Sequence, residues 1–214
     1  RQMCIRDRLF GKASALVAGL GPEAVLIQAE TFVRLCTGQI EDDRQAPADA
    51  DPMEHYLAVL ADKTGSLIAT AARYGAMFGG ASAEVVETMT KYGELVGMVF
   101  QLADDVLDVS SEVSGKPAGT DLREGVRTLP VLYALASTDP ADDRLKELVA
   151  KPLTDPDEHA EALALLRTHP ALQQAREHTV AVAAQAKALL DDLGDSDAVQ
   201  LLRTLPEGVA LRSA

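Results

Sequence analysis

The chain has 214 residues, 47% of them hydrophobic, and a formal net charge of −13. That length suffices for one large domain with a real core, and no apolar run is long enough to span a bilayer, so a soluble protein without a transmembrane segment is expected. The excess of acid argues against nucleic acid as a partner, because phosphate backbones attract basic surfaces, but it leaves room for a diphosphate bridged by metal ions.

Arg1 to Arg8 carries several arginines with no apolar secretory core behind it. It reads as an atypical segment, an artefact or scar, set apart from a domain expected over residues 9–214. Leu9 to Leu20 is predicted as a short helix. Gly21-Pro22-Glu23 breaks it and starts the next, with Pro22 at a first helical position. That second helix runs to about Ile40 and shows Val25, Ala29, Phe32, Val33 and Cys36 on one face. Glu41 to Asp51, polar and holding Pro47, is predicted as a loop. Cys4 and Cys36 have no metal-ligand spacing, and a reduced, cytoplasmic setting is expected rather than a disulfide framework.

Asp51-Pro52-Met53-Glu54 has the form of a helix start: an Asp cap, Pro next, and Glu closing the capping box. The helix that follows carries an apolar stripe through Tyr56, Leu60, Leu67 and Ala71, and Lys63 and Thr64 fall within it. A Lys there either meets an anion or lays its stem along the core and reaches water with its ammonium. Spacing alone favours the second. Gly79-Gly80 ends this helix and Ser82 starts the next. Gly75 and Gly79, then Gly93 and Gly97, are spaced for the close approach of a neighbouring helix, here in a soluble bundle rather than in a membrane.

The helix from Ser82 contains Asp104, Asp105 and Asp108 within an apolar run. Asp104 and Asp108 share a face, with Asp105 beside Asp104. Carboxylates so close repel one another, Asp is a poor helix-interior residue, and apolar flanks raise the cost. Two readings are open. One is a solvated acidic edge; the other is a site for a hard cation, since Mg²⁺ takes one or two carboxylates plus waters and substrate phosphates. The same spacing recurs at Asp191, Asp192 and Asp195. There Gly194 ends the helix, and the three are read as a solvated helix end.

Ser114 to Asp121 is predicted as a flexible turn holding Lys116, with Asp121 capping a helix that includes Thr128-Leu129-Pro130. From Asp139 onward short amphipathic helices are expected, punctuated by Asp139-Pro140, Asp155-Pro156 and His169-Pro170. His55, His159, His169 and His178 lack zinc spacing and are expected at the surface. No strand-period segment and no repeat is present, so the fold class is all-α.

Phe100 to Asp108 resembles the second aspartate-rich motif of the trans-polyprenyl diphosphate synthases. Gly115-Lys116, Gly119-Thr120-Asp121-Leu122 and Thr128-Leu129-Pro130 are similar to that family's downstream pattern. Lys63-Thr64 matches its Lys-Thr pair, and Gly38-Gln39-Ile40 resembles its Gly-Gln segment. The resemblance covers Leu9 to about Leu205, weakly after Asp139, and Gly119 to Val126 is worded like actinobacterial long-chain members.

The resemblance implies an isoprenoid-synthase-type helical bundle around a central cavity, and a homodimer. It implies a prenyltransferase that condenses an allylic diphosphate with isopentenyl diphosphate into a longer polyprenyl diphosphate. Mg²⁺ would be held by Asp104, Asp105 and Asp108, with Asp121 as a further acidic residue. Lys63 and Lys116 would bind diphosphate. Lys63, Thr64 and Gln101 would be the catalytic residues, the last two aiming oxygen dipoles at the developing cation. An apolar cavity beyond would accept the growing chain.

Two departures from the family stand out. Its first aspartate-rich motif and the basic residues after it belong upstream of Leu9, so a C-terminal portion lacking the N-terminal helices, and poorly active alone, is expected. Many members carry Lys after the Gly matching Gly125, where this chain has Val126 and then Arg127. The rival readings are a non-catalytic partner subunit of a prenyl synthase and a class I terpene-cyclase-like protein. The intact motif beside Lys63-Thr64 argues against the first, and the Gly-Lys and Gly-Thr-Asp-Leu segments argue against the second.

Overall fold

The computed structural model describes residues 2–44, 47, 49–110 and 118–212, and every regular element among them is helical. Helix α1 (Gln2–Ala18) starts upstream of Leu9 and runs unbroken through the first arginines, where no Gly or Pro interrupts it. Gly21, at φ +107°, turns the chain into α2 (Pro22–Asp42). The face predicted for α2 is its outer one. Val25, Phe32 and Val33 are exposed, whereas Ala24, Ile27 and Gly38 are buried. Apolar periodicity misjudged this helix because polar residues share the inner face. The Thr31 and Thr70 hydroxyls meet at 2.6 Å, and Arg34 reaches Asp62 and Glu94.

Helix α3 (Pro52–Leu60) starts as predicted: the Asp51 carboxylate accepts the amides of Met53 at 2.8 Å and Glu54 at 2.9 Å. A single π turn, Ala61–Gly65, then leads without a break into α4 (Ser66–Phe78). The π turn takes one residue more than an α turn, so it advances the buried stripe from Leu60 to Gly65 and Ala69. Leu67 and Ala71, predicted to continue the stripe, are therefore exposed.

Helix α5 (Ala83–Ser110) follows the Gly79-Gly80 break and is the axis of the molecule. Its Val99, Leu102, Ala103 and Val106 are fully buried. A Cβ on Gly93 would lie 2.7 Å from the Ile68 carbonyl, and one on Gly97 would lie 2.8 Å from Gly65 Cα. These two glycines let α4 rest directly on the α5 backbone. Gly75 has no such neighbour, so the expected close approach holds at one glycine pair and not at the other.

The remaining helices are α6 (Thr120–Glu124), α7 (Leu129–Leu135), α8 (Asp143–Val149), α9 (Pro156–Thr168), α10 (Pro170–Ala188) and α11 (Asp197–Leu211). The side chains of Asp155, His169 and Ser196 cap α9, α10 and α11. Leu129, Leu148, Leu166 and Leu172 from α7 to α10 close the core against α5. Pro206 sits inside α11, where it removes the amide that would bond Leu202. The Tyr92 hydroxyl of α5 donates to that freed Leu202 carbonyl at 2.7 Å.

His159 is buried, contrary to the surface position expected of it, because its ring packs against the Gly119 backbone. No helix among the described residues is long and apolar enough to cross a membrane.

Candidate active site

The last two turns of α5 carry the three aspartates, and their carboxylates have different partners. Asp104 is partly exposed; Arg212, just past α11, donates to its Oδ1 at 2.7 Å. The same guanidinium donates to the Phe100 carbonyl at 2.8 Å and lies 4.1 Å from the Phe100 ring centroid. Asp105 is buried at the junction of α3, α5 and α7. The Tyr56 hydroxyl and the Leu129 amide both donate to its Oδ2, the amide at 3.3 Å, and the Gln101 side chain adds a further bond. Burial pushes this carboxyl up to about 7 in spite of those donors.

Asp108 serves α6. Its Oδ1 accepts the Thr120 amide and its Oδ2 the Asp121 amide, each at 3.1 Å, and its main-chain oxygen accepts the Gly119 amide at 2.8 Å. These are amides that the start of a helix leaves unsatisfied. Asp121 is expected to cap a helix that includes Thr128-Leu129-Pro130; Gly125, at φ +76°, instead splits that stretch into α6 and α7, Asp121 is the second residue of α6, and Asp108 supplies the acceptor from α5. Burial pushes the Asp121 carboxyl up to about 6, helped by the charges of Asp108, Glu124, Asp104 and Asp42.

Lys63 and Thr64 lie in the π turn. The turn is clamped on several sides. Arg34 donates to Asp62 at 2.8 Å and to Glu94 at 2.9 Å, and a Cβ on Gly38 would come within 2.7 Å of the Lys63 amide nitrogen. Lys63 Nζ donates to Asp42 Oδ2 at 2.6 Å, so an anion does meet this lysine, at the C-terminal end of α2. The charge of Asp42 is also among those that raise Asp121. Gly115 and Lys116 lie outside the described residues, as does the side chain of Cys4, whereas Cys36 is a free thiol. Val126 and Arg127 are exposed.

Residues 5–166 match the polyprenyl synthetase family. The chain belongs to that family. It is 49% identical over 192 residues to a nonaprenyl diphosphate synthase of Mycobacterium tuberculosis, a match covering 87% of this chain and 57% of the relative. A dimethylallyltranstransferase of the same organism is 41% identical, over 93% of this chain and 61% of the relative. The crystal structure of a geranylgeranyl pyrophosphate synthase from Corynebacterium glutamicum, complexed with calcium and isoprenyl diphosphate, superposes with a TM-score of 0.88 at 41% identity. That superposition covers 97% of this chain and 65% of the other. The chain therefore spans about six tenths of the length of the curated relatives it matches.

Polyprenyl synthetase membership directs attention to an apolar groove of about 670 Å³ between α4, α5 and α11, lined by Ile68, Ala72, Gly75, Met89, Val96 and Leu202, among others. Val96 stands two helical turns before Asp104 on α5, a rise of about 12 Å. The fit of Mg²⁺ can be judged from the carboxylates. Among the described residues no group of three His, Cys, Asp or Glu side chains forms a ready metal cage. Mg²⁺ does not need one, since it keeps waters and takes substrate phosphate oxygens beside one or two carboxylates. Asp121 is raised first by burial and then by the negative charges of Asp108, Glu124, Asp104 and Asp42, and a cation there would relieve those charges. The residues fit. Asp42, Arg212 and His159 escaped sequence reasoning as members of this region, and no local pattern marks them. Tyr56 was visible only as part of an apolar stripe.

Proposed function

We propose that the complete protein is a Mg²⁺-dependent trans-prenyltransferase that joins an allylic diphosphate to isopentenyl diphosphate. The observation that carries this reading is the acid gathered around Asp121 by Asp108, Asp104 and Asp42, the last paired with Lys63, with an apolar groove about two helical turns back along α5. Bound Mg²⁺ would supply charge neutralisation of the departing diphosphate. Asp104, once it exchanges Arg212 for the cation, and Asp121 are the carboxylates that would hold it. Asp105 and Asp108, engaged by Tyr56, Leu129, Thr120 and Asp121, keep those two in place. Lys63 exchanges Asp42 for a diphosphate oxygen, and Lys116 adds charge on the same group.

The allylic C–O bond breaks and its electron pair leaves with diphosphate. The double bond of isopentenyl diphosphate supplies the pair for the new C–C bond. A proton then passes to the released diphosphate, and the product is one isoprene unit longer. Thr64 and Gln101 direct oxygen dipoles at the allylic cation in a site that excludes water. The apolar groove receives the tail. A homodimer in the cytoplasm belongs to the same reading. The exposed apolar face of α2, with Phe32 against Phe10 of α1, supports the dimer.

The test joins this chain to the remaining part of the Mycobacterium tuberculosis nonaprenyl diphosphate synthase and follows isopentenyl diphosphate incorporation onto farnesyl diphosphate. Elongation should require Mg²⁺, and Asp104→Ala should lower it by at least about a hundredfold. A folded chimera that elongates equally with and without Asp104 would end the proposal.

A further inference from the structure

Asp121 reaches the acidic region on a short segment, Gly119–Asp121, whose position two helices determine. From α5, Asp108 takes the amides of Gly119, Thr120 and Asp121. From α9, the buried His159 sets its Nε2 at 2.8 Å from the Gly119 carbonyl oxygen. A carbonyl only accepts, so Nε2 carries the proton and donates. Arg123 Nε points at the same nitrogen from 3.4 Å, a bond that only the other tautomer could receive, and the shorter contact to Gly119 decides where the proton sits. The Gly119 oxygen accepts the Arg123 amide as well, at 3.2 Å, which fills its second lone pair. Both polar groups of the Gly119 backbone are thus fixed by other elements.

The fit is specific to glycine. Gly119 has φ +72°, and a Cβ there would stand 2.6 Å from His159 Nε2. Neighbouring positions on α9 show that a histidine is not needed for packing alone: Ala162 and Leu166 are fully buried with no polar atom to satisfy. A buried imidazole must find a partner, and this one finds it in the segment that carries Asp121.

We infer that His159 is a positioning residue of the cation site: its bond to Gly119 fixes where α6 begins, and with it the place of Asp121 relative to Asp104. The inference rests on the reading that Asp104 and Asp121 take a divalent cation. Nothing in the polyprenyl synthetase motifs of this chain points to His159, which lies far beyond the last of them in sequence.

The experiment uses the 214-residue chain and Mn²⁺ as the probe. Free Mn²⁺ is counted by electron paramagnetic resonance for wild type, His159→Phe, His159→Gln and Asp104→Asn. Hydrogen exchange is followed over residues 118–124. His159→Phe keeps a ring but no donor, and it should weaken Mn²⁺ binding about tenfold, as loss of an outer hydrogen bond to a metal site does. Exchange should quicken over 118–124 and stay unchanged in α10. His159→Gln, which keeps an N–H, should recover most of both. If His159→Phe loses its helical circular dichroism, His159→Met makes the same comparison with a flexible apolar side chain. Wild-type binding in the donor-free variant, or a glutamine variant as weak as the phenylalanine one, overturns the inference. Asp104→Asn separates the two levels: if it binds Mn²⁺ like wild type, the cation reading fails and this inference falls with it.

Discussion

Asp104, Asp105 and Asp108 have the same spacing as Asp191, Asp192 and Asp195, yet the two triplets meet different surroundings. The first lies on the unbroken α5. The second lies where α10 has ended, on a 3₁₀ turn closed by Gly194 at φ +75°. The side chains of Asp191 and Asp195 are 73% and 81% exposed, whereas Asp105 is buried. Each triplet even has an arginine from the same part of the chain: Arg203 is 2.8 Å from Asp195, and Arg212 is 2.7 Å from Asp104. What separates them is the set of uncharged donors. Tyr56, Leu129, Thr120 and the Asp121 amide come from other elements and fix two carboxylates of the first triplet. An acidic spacing becomes a shaped region when neighbouring helices bring donors to it.

The comparison breaks hardest at Asp105. Asp105→Ala leaves the Tyr56 hydroxyl and the Leu129 amide without their acceptor inside the core. Each buried group left unpaired costs about 1–3 kcal/mol, and relief of the buried acid offsets part of the total. Urea unfolding should show a loss of roughly 2–4 kcal/mol. Asp192→Ala, in the exposed triplet, should stay within about 0.5 kcal/mol of wild type. Equal losses in the two variants would remove the distinction.

Proton linkage sharpens the same contrast. Burial raises Asp105 from 3.8 to about 7 and Asp121 from 3.8 to about 6. Both groups bind a proton more tightly in the folded chain than in the unfolded one. Their stabilising contribution is therefore fully present below about pH 4 and is lost as pH rises through 6 and then 7. With divalent cations chelated, the melting temperature should fall between about pH 5 and about pH 8. Asp105→Asn should flatten much of that slope, and Asp192→Asn should leave it as it is. A wild-type melting temperature that is level across this range would contradict the burial-raised carboxyls.

Much of this architecture is legible in the sequence where the signal is local. Asp51 and Asp155 announce the starts of α3 and α9, Gly79-Gly80 announces the start of α5, and Gly194 correctly demotes the second acidic triplet. The acidic region could be named from Asp104, Asp105, Asp108 and Asp121 because they follow a family pattern. Features fixed by tertiary contacts stay hidden. The π turn is held by Gly38, Arg34 and Glu94 from other helices, so an α-periodic stripe in the sequence runs straight through it. The inner face of α2 is partly polar, so the apolar count selected the outer face. His159 and Arg212 act on residues 40 and 108 positions away, and nothing near either residue betrays that.

The smallest effect concerns the two arginines. Both ion pairs are partly solvated, and exposed pairs contribute about 1 kcal/mol or less. Arg212→Gln and Arg203→Gln should therefore each cost about that much stability, Arg212 losing its stacking on Phe100 as well and Arg203 its bond to the Leu190 carbonyl at 3.2 Å. Both substitutions remove one positive charge, so any effect of net charge on cation binding is common to them. Only Arg212 occupies a carboxylate proposed to take Mg²⁺. Freeing Asp104 returns the free energy of that pair to cation binding, so Mn²⁺ affinity should rise by up to about fivefold in Arg212→Gln. It should stay level in Arg203→Gln, since Asp191 and Asp195 are left to solvent with no buried donors around them. Equal gains in both variants would trace the effect to overall charge, and no gain in either would mean that Arg212 yields Asp104 to the cation at no cost.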